Sequence, residues 1–127
     1  DAVRPRSAIP ACGGATPLGR AIGEMMALQQ GYVVVTHGKS RRVRGILTAR
    51  DAVRAFACGA SAELLCKKWV PSLGSCVEAE MPLEVAMRLM VDASTQYLVV
   101  VDERGHLLDV LSTLDVVHKL VGRPRRC

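Results

Sequence analysis

Two spacings of apolar residues alternate along the chain, and the whole alternation comes twice. Leu18, Ala21, Ile22, Met25 and Met26 recur three and four positions apart, and Leu83, Ala86, Met87, Met90 and Val91 do the same. That spacing predicts an amphipathic helix in each place, with Pro17 or Pro82 in its first turn and the methionines as core filler. Gly31 is expected to end the first helix, and the Ser94-Thr95-Gln96 stretch the second. Tyr32–Thr36 and Tyr97–Val101 are near-continuous apolar, β-branched runs, the pattern of a strand covered on both faces. After the turns at residues 37–40 and 102–105, residues 43–47 and 106–111 return as second strands, so each half carries a hairpin. Second helices follow. Ala52, Val53, Phe56 and Ala57, answered by Val116, Val117, Leu120 and Val121, are expected on their buried faces, and Gly59 and Gly122-Arg123-Pro124 are stop signals. Residues 61–68 read as a short linking helix and residues 77–79 as a short strand.

Laid over itself, the segment 16–35 matches 81–100: Pro17 meets Pro82, Leu18 meets Leu83, Ala21 meets Ala86, Met25 meets Met90 and Tyr32 meets Tyr97. Further on, Leu47, Thr48, Asp51 and Val53 meet Leu111, Ser112, Asp115 and Val117. The chain is a tandem duplication, and self-similarity at this period organises the whole reading. The expected fold class is α+β, with two β-α-β-β-α repeats. A first unit spans 1–60 with its N-terminal segment, a linking helix and loop 61–74, a second repeat 75–122 and a basic tail 123–127. Either half alone buries too little to be stable, so the two are expected to pack with quasi-twofold symmetry.

Composition narrows the class. With 127 residues, half of them apolar and 23% charged, the chain matches a single soluble globular domain. No apolar run approaches the roughly 20 residues of a membrane span, and no secretory apolar region stands at the start. A chain opening on Asp1 instead of Met is expected to be a processed product or a piece of something longer. Five cysteines, an odd number without a C-x-x-C pair, argue against a disulfide framework and a zinc site. Cys58, Cys66 and Cys76 are expected to be small apolar fillers and reduced thiols, in an intracellular compartment such as cytoplasm or an organelle matrix. Only Cys127, beside Arg125 and Arg126, has neighbours that lower a thiol pKa.

The formal net charge of +5 sits in patches: Arg4 and Arg6, residues 39–44, Lys67-Lys68, and residues 123–126. Such patches can meet phosphates, or an acidic partner. An aromatic content of 3%, with no zinc-finger, RNP or recognition-helix pattern, argues against nucleic acid. His37, His106 and His118 pair with no credible nucleophile and no metal spacing appears, which argues against an enzyme.

The chemistry concentrates at Thr48-Ala49-Arg50-Asp51 and Ser112-Thr113-Leu114-Asp115, each at a strand-to-helix junction. As capping boxes, Thr48 and Ser112 accept backbone N–H groups while Asp51 and Asp115 bond back, worth about 1 kcal/mol each. A helix N-terminus also offers N–H groups and a positive dipole end to a polar ligand, and an Asp there can accept ribose hydroxyls.

Over about residues 8–122, the duplicated order of elements, the Pro-Leu-x-x-Ala helix openings and Gly45-Ile46-Leu47-Thr48-Ala49-Arg50-Asp51 resemble a tandem pair of CBS domains, also called a Bateman module. The resemblance implies a non-catalytic regulatory module that binds AMP, ADP, ATP or S-adenosylmethionine in the inter-repeat cleft, modulates a partner protein, and pairs into a dimer or joins a larger complex. It implies no cofactor beyond that regulatory nucleotide, and no metal. Asp51 and Asp115 would hold ribose, Thr48 and Ser112 sugar or phosphate, and the strands around Tyr32, Val33 and Val34 and around Tyr97 to Val99 would flank adenine. The halves depart from the pattern unequally. Arg50 precedes Asp51, with Arg41, Arg42 and Arg54 expected nearby, whereas the second motif has Asp109 for Gly45 and Leu114 for Arg50, with His118 and Lys119 as compensation. Val34 and Val99 stand where the family often has proline. The first cleft is therefore the favoured site. The alternative function is a ligand-free pair that serves as a structural or assembly subunit, and an exposed apolar helix face would favour it.

Overall fold

The computed structural model describes residues 9–70 and 76–122. The basic segments carrying Arg4, Arg6, Arg123, Arg125 and Arg126, the loop 71–75 and Cys127 lie outside the described residues. Each repeat follows the expected order. The first holds β1 (Ala11–Gly13), α1 (Leu18–Ala27), β2 (Tyr32–Thr36), β3 (Val43–Thr48) and α2 (Ala49–Ala57). The second holds β4 (Cys76–Glu78), α3 (Leu83–Ala93), β5 (Tyr97–Val101), β6 (Leu107–Ser112) and α4 (Thr113–Gly122). Two three-stranded sheets result, β1-β2-β3 and β4-β5-β6, with the first pair parallel and the second antiparallel in each.

The duplication extends to irregularities. Val35 pairs with Gly45 and Thr36 with Val43, which leaves Arg44 as an extra residue; Val100 pairs with Asp109 and Val101 with Leu107, which leaves Leu108. One extra residue in one strand is a β-bulge, here at matching positions in both hairpins.

Strand alternation sorts the apolar runs into three clusters. Val33, Val35 and Leu47 face α1 and α2, Leu98 and Val100 face α3 and α4, and Tyr32, Val34, Val99, Val101 and Val110 meet between the sheets. Both faces of β2 and β5 are thus covered, which is why these runs carry almost no polar residue. The hairpins also join directly, with Val43 N–H donating to Gly105 O at 2.9 Å and Leu107 N–H to Arg41 O at 3.0 Å.

Three local expectations need correction. Helix α1 does not run to Gly31: it stops at Ala27, Gln29 turns left-handed with φ 54°, and Gln30 N–H bonds back to Met25 O at 3.0 Å. Helix α3 ends at the expected Ser94-Thr95-Gln96 stretch and by the same geometry, with Ser94 at φ 52° and Thr95 N–H on Met90 O. Residues 61–68 form no helix beyond a single 3₁₀ turn at Cys66–Lys68. Their backbone groups go to α1 instead. Leu64 O accepts from Leu18 N–H at 2.7 Å and Ala62 O from Gly19 N–H at 2.8 Å, while Cys66 N–H donates to Thr16 O. The first N–H groups of a helix have no partner inside it, and Pro17 has no capping side chain, so the linker supplies the cap.

The third correction concerns the second helices. Ala52 and Val116 are buried, but Val53, Phe56, Ala57, Val117, Leu120 and Val121 are exposed, with Leu114 beside them at 75% exposure. Met26 and Val91 are likewise exposed, whereas Met25 and Met90 are core. Periodicity identified the apolar stripes, and only part of each stripe meets the sheet. Among the described residues, no helix is long and apolar enough to cross a membrane.

Candidate functional site

Each strand-to-helix junction is held by the predicted pair of reciprocal bonds. Asp51 N–H donates to Thr48 Oγ1 and Thr48 N–H to Asp51 Oδ2, both at 3.1 Å. In the second repeat Asp115 N–H donates to Ser112 Oγ at 3.0 Å and Ser112 N–H to Asp115 Oδ2 at 2.9 Å. Both are complete capping boxes. Ala49 N–H is bound to Gly31 O, and Thr113 N–H to Gln96 O, each at 2.9 Å. Since the motif satisfies much of its own backbone, the outward carboxylate oxygen is the feature left for chemistry. A carboxylate accepts several bonds at once, so Oδ1 of Asp51 can take hydroxyls without breaking the cap.

The cations sort by position along β3. Arg54 Nη1 lies 3.7 Å from Asp51 Oδ1, a surface pair of the weak kind that a ligand can displace. Arg50 is exposed on the same helix turn. Arg41 and Arg42 are not near Asp51. Arg41 donates to Leu107 O at 2.7 Å and Arg42 bridges to His106, at the opposite end of a strand roughly 16 Å long. In the second repeat Asp109 accepts from Val110 N–H, and Lys119 lines a cavity with Asp109.

Between the two junctions stands a pair of tyrosines. The Tyr32 and Tyr97 rings are 4.9 Å apart at 49°, a tilted contact in the inter-sheet cluster. They cross. The Tyr97 hydroxyl lies 2.6 Å from where a Cβ on Gly31 would be, beside the first junction. Burial first, and then the charges of Asp109, Asp115 and Tyr97, push the Tyr32 phenol up to about 12. Gly31 thus makes room for a tyrosine from the other repeat, a role that sequence reasoning assigned to helix termination. Val34 is buried in the seam, and its N–H donates to Pro10 O at 2.9 Å. A proline at that position has no such hydrogen to give. Val33 turns its side chain to the helix side, so only its backbone faces the strand neighbours.

Two cavities, of about 510 and 520 Å³, open on the second repeat, around Leu83, Leu108 and Asp109 and around Glu78, Pro82 and Val85. Neither is lined by Thr48, Asp51, Ser112 or Asp115. Among the described residues no cluster of His, Cys, Asp and Glu is placed to hold a metal ion.

Comparison with known proteins supplies the family. The family model described as CBS domain matches residues 2–58 and 75–122. No curated protein sequence matches the chain. Among solved structures, a protein with CBS domains from Burkholderia ambifaria superposes with a TM-score of 0.83 at 22% identity, covering 98% of this chain and 93% of that one. A CBS domain protein from Pyrobaculum aerophilum, complexed with AMP, gives a TM-score of 0.80 at 22% identity over 94% of each chain. A CBS-domain containing protein from Agrobacterium tumefaciens gives 0.76 at 27% identity, over 86% of this chain and 81% of that one.

Proposed function

The chain belongs to the CBS domain family, and on that premise we propose that it is a non-catalytic regulatory module which binds an adenine nucleotide at the first junction and modulates a partner protein. The observation that carries this reading is the Thr48–Asp51 box, whose outward carboxylate oxygen faces the displaceable Arg54. Ribose hydroxyls would bond Asp51, while Arg54 and Arg50, freed from or flanking the carboxylate, would meet phosphate. CBS domains of this fold have been solved with AMP, with ATP in a Mg²⁺ transporter, and with S-adenosyl-L-methionine. Binding between the repeats would favour one of their relative orientations, which is how a ligand here would reach a partner.

Isothermal titration with AMP, ADP, ATP and S-adenosylmethionine tests the proposal. Saturable binding is expected for at least one of the four, lost in Asp51→Ala and retained in Asp115→Ala. Absence of heat with all four, from a chain shown to be folded, removes the nucleotide.

A second reading has its own observation. The crossed tyrosines occupy the seam, and Val53, Phe56, Leu114, Val117, Leu120 and Val121 are exposed on α2 and α4. Apolar faces of this kind support a homodimer or a subunit of a larger complex, held together without a small ligand. Sedimentation of the wild type and of Leu120→Glu separates them: a dimer converted to monomer supports self-association, and a monomer in both turns the face toward a different partner.

A further inference from the structure

Resting on the self-association reading above, we propose that the exposed helix faces are covered by a second copy of this chain set head to tail, the first repeat of each copy against the second repeat of the other. The reason lies in the charges. Between residues 9 and 60 seven lysines and arginines stand against two carboxylates, whereas between 76 and 122 eight carboxylates stand against three cations. The repeats share a backbone and oppose each other in formal charge, +5 against −5. The ion pairs Arg54–Asp51 and His106–Asp102 each lie within one repeat, so they do not offset the charge of one repeat with that of the other.

The apolar positions alone leave the orientation open. Met26, Val53 and Phe56 are exposed on α1 and α2, and Val91, Val117 and Leu120 on α3 and α4. These are matching places in the duplication: Met26 answers Val91, Val53 answers Val117 and Phe56 answers Leu120. Each face therefore fits its own kind as well as the other.

Charge separates the two arrangements. Exposed Arg20, Arg50 and Arg54 surround the first face, with Glu24 as the minority charge; exposed Glu84, Asp92 and Asp115 surround the second, with Arg88 and Lys119. Head to head, each repeat abuts its own twin, and like charges meet within the roughly 8 Å over which salt at physiological strength leaves them unscreened. Head to tail, unlike charges meet instead. The apolar residues supply the affinity, and the charged rims set the orientation and the register. A two-fold axis forms the contact twice, so the assembly closes as a dimer and leaves neither face bare.

Sedimentation equilibrium of the full chain in sodium chloride tests the orientation by the sign of its salt dependence. Unlike repeats attract, so the dimer dissociation constant should rise several-fold between about 0.05 and about 0.5 M salt. Glu84→Lys combined with Asp92→Lys keeps every apolar position and should also weaken the dimer at low salt. Position is read by mixing Phe56→Cys chains with Leu120→Cys chains, each also carrying Cys127→Ser and, since Cys58 is exposed, Cys58→Ser. A short bismaleimide should then join position 56 of one copy to position 120 of the other. Links from 56 to 56 or from 120 to 120, or a dimer that salt leaves unchanged or tightens, overturn the head-to-tail arrangement and leave self-association standing, as does a tighter dimer in the double lysine variant. A chain that sediments as a monomer at every salt concentration overturns both.

Discussion

Among the described residues, the first repeat is roofed by the linker and the second, at the matching place, opens into a cavity. In the first, Cys66 and Val70 are buried against Leu18, Ala21, Val35 and Leu47. Their counterparts in the second, Leu83, Ala86, Val100 and Leu111, line the cavity of about 510 Å³. The backbone frames are alike, down to the bulges and the capping boxes. What differs is the material laid over the frame, and that difference follows from where Leu64 O and Ala62 O find donors. A duplicated sequence therefore gives duplicated hydrogen bonds without giving equal packing.

The largest test of this inequality is a matched pair of core truncations. Leu47→Ala, at a site with no exposure, should cost about 3–5 kcal/mol in chemical denaturation, and Leu111→Ala, half-buried beside the cavity, about 1–2 kcal/mol. Equal losses would mean that the roof contributes nothing. The next pair separates the junctions. Gly31→Ala forces a Cβ toward the Tyr97 hydroxyl and should cost about 1–2 kcal/mol, whereas Gln96→Ala at the matching position should stay within about 0.5 kcal/mol. Adding Tyr97→Phe should recover most of the Gly31→Ala loss. If it does not, the crossing of the tyrosines is not the reason for the glycine.

The strands and capping boxes were legible in the sequence because their determinants are local. A run such as Tyr-Val-Val-Val has few alternatives to a two-sided strand, and Thr48-x-x-Asp51 carries donor and acceptor within one turn. What was illegible depends on partners distant along the chain. Residues 61–68 have helical composition, yet their carbonyls cap α1. Gly31 reads as a stop signal, yet the stop is at Gln29 and the glycine answers Tyr97. The apolar stripe of α2 is visible as a stripe, but its width against the sheet is set by packing, which leaves Val53 and Phe56 outside. At the two junctions the reciprocal capping bonds form as the motif predicts, and of the cations expected nearby Arg54 reaches Asp51 whereas Arg41 and Arg42 serve the junction of the hairpins.

The capping boxes supply the case where the repeats should agree. Thr48→Ala and Ser112→Ala each remove one side-chain acceptor and leave the helix start intact otherwise. Each should lower stability by about 1 kcal/mol. A loss confined to Thr48→Ala would show that the more exposed second box frays in solution, and it would sharpen the preference for the first junction.

The smallest effect is invisible at neutral pH and appears on the alkaline side. Tyr32 ionises near 10.0 in an unfolded chain and is pushed up to about 12 in the fold by burial, Asp109 and Asp115. Below pH 10 the phenol is neutral in both states, so its contribution to stability is complete and constant. Between pH 10 and about 12 the unfolded chain gives up the proton and the folded chain keeps it, so stability falls as pH rises. Tyr32→Phe has no proton to lose. Subtracting its denaturation profile from that of the wild type should leave a decline confined to that window, with other alkaline titrations cancelling. Asp115→Asn removes a lesser of the causes and should narrow the window slightly from its upper end. A flat difference profile would mean that the Tyr32 phenol is hydrated in solution, and the seam between the repeats would then be open enough to admit a ligand.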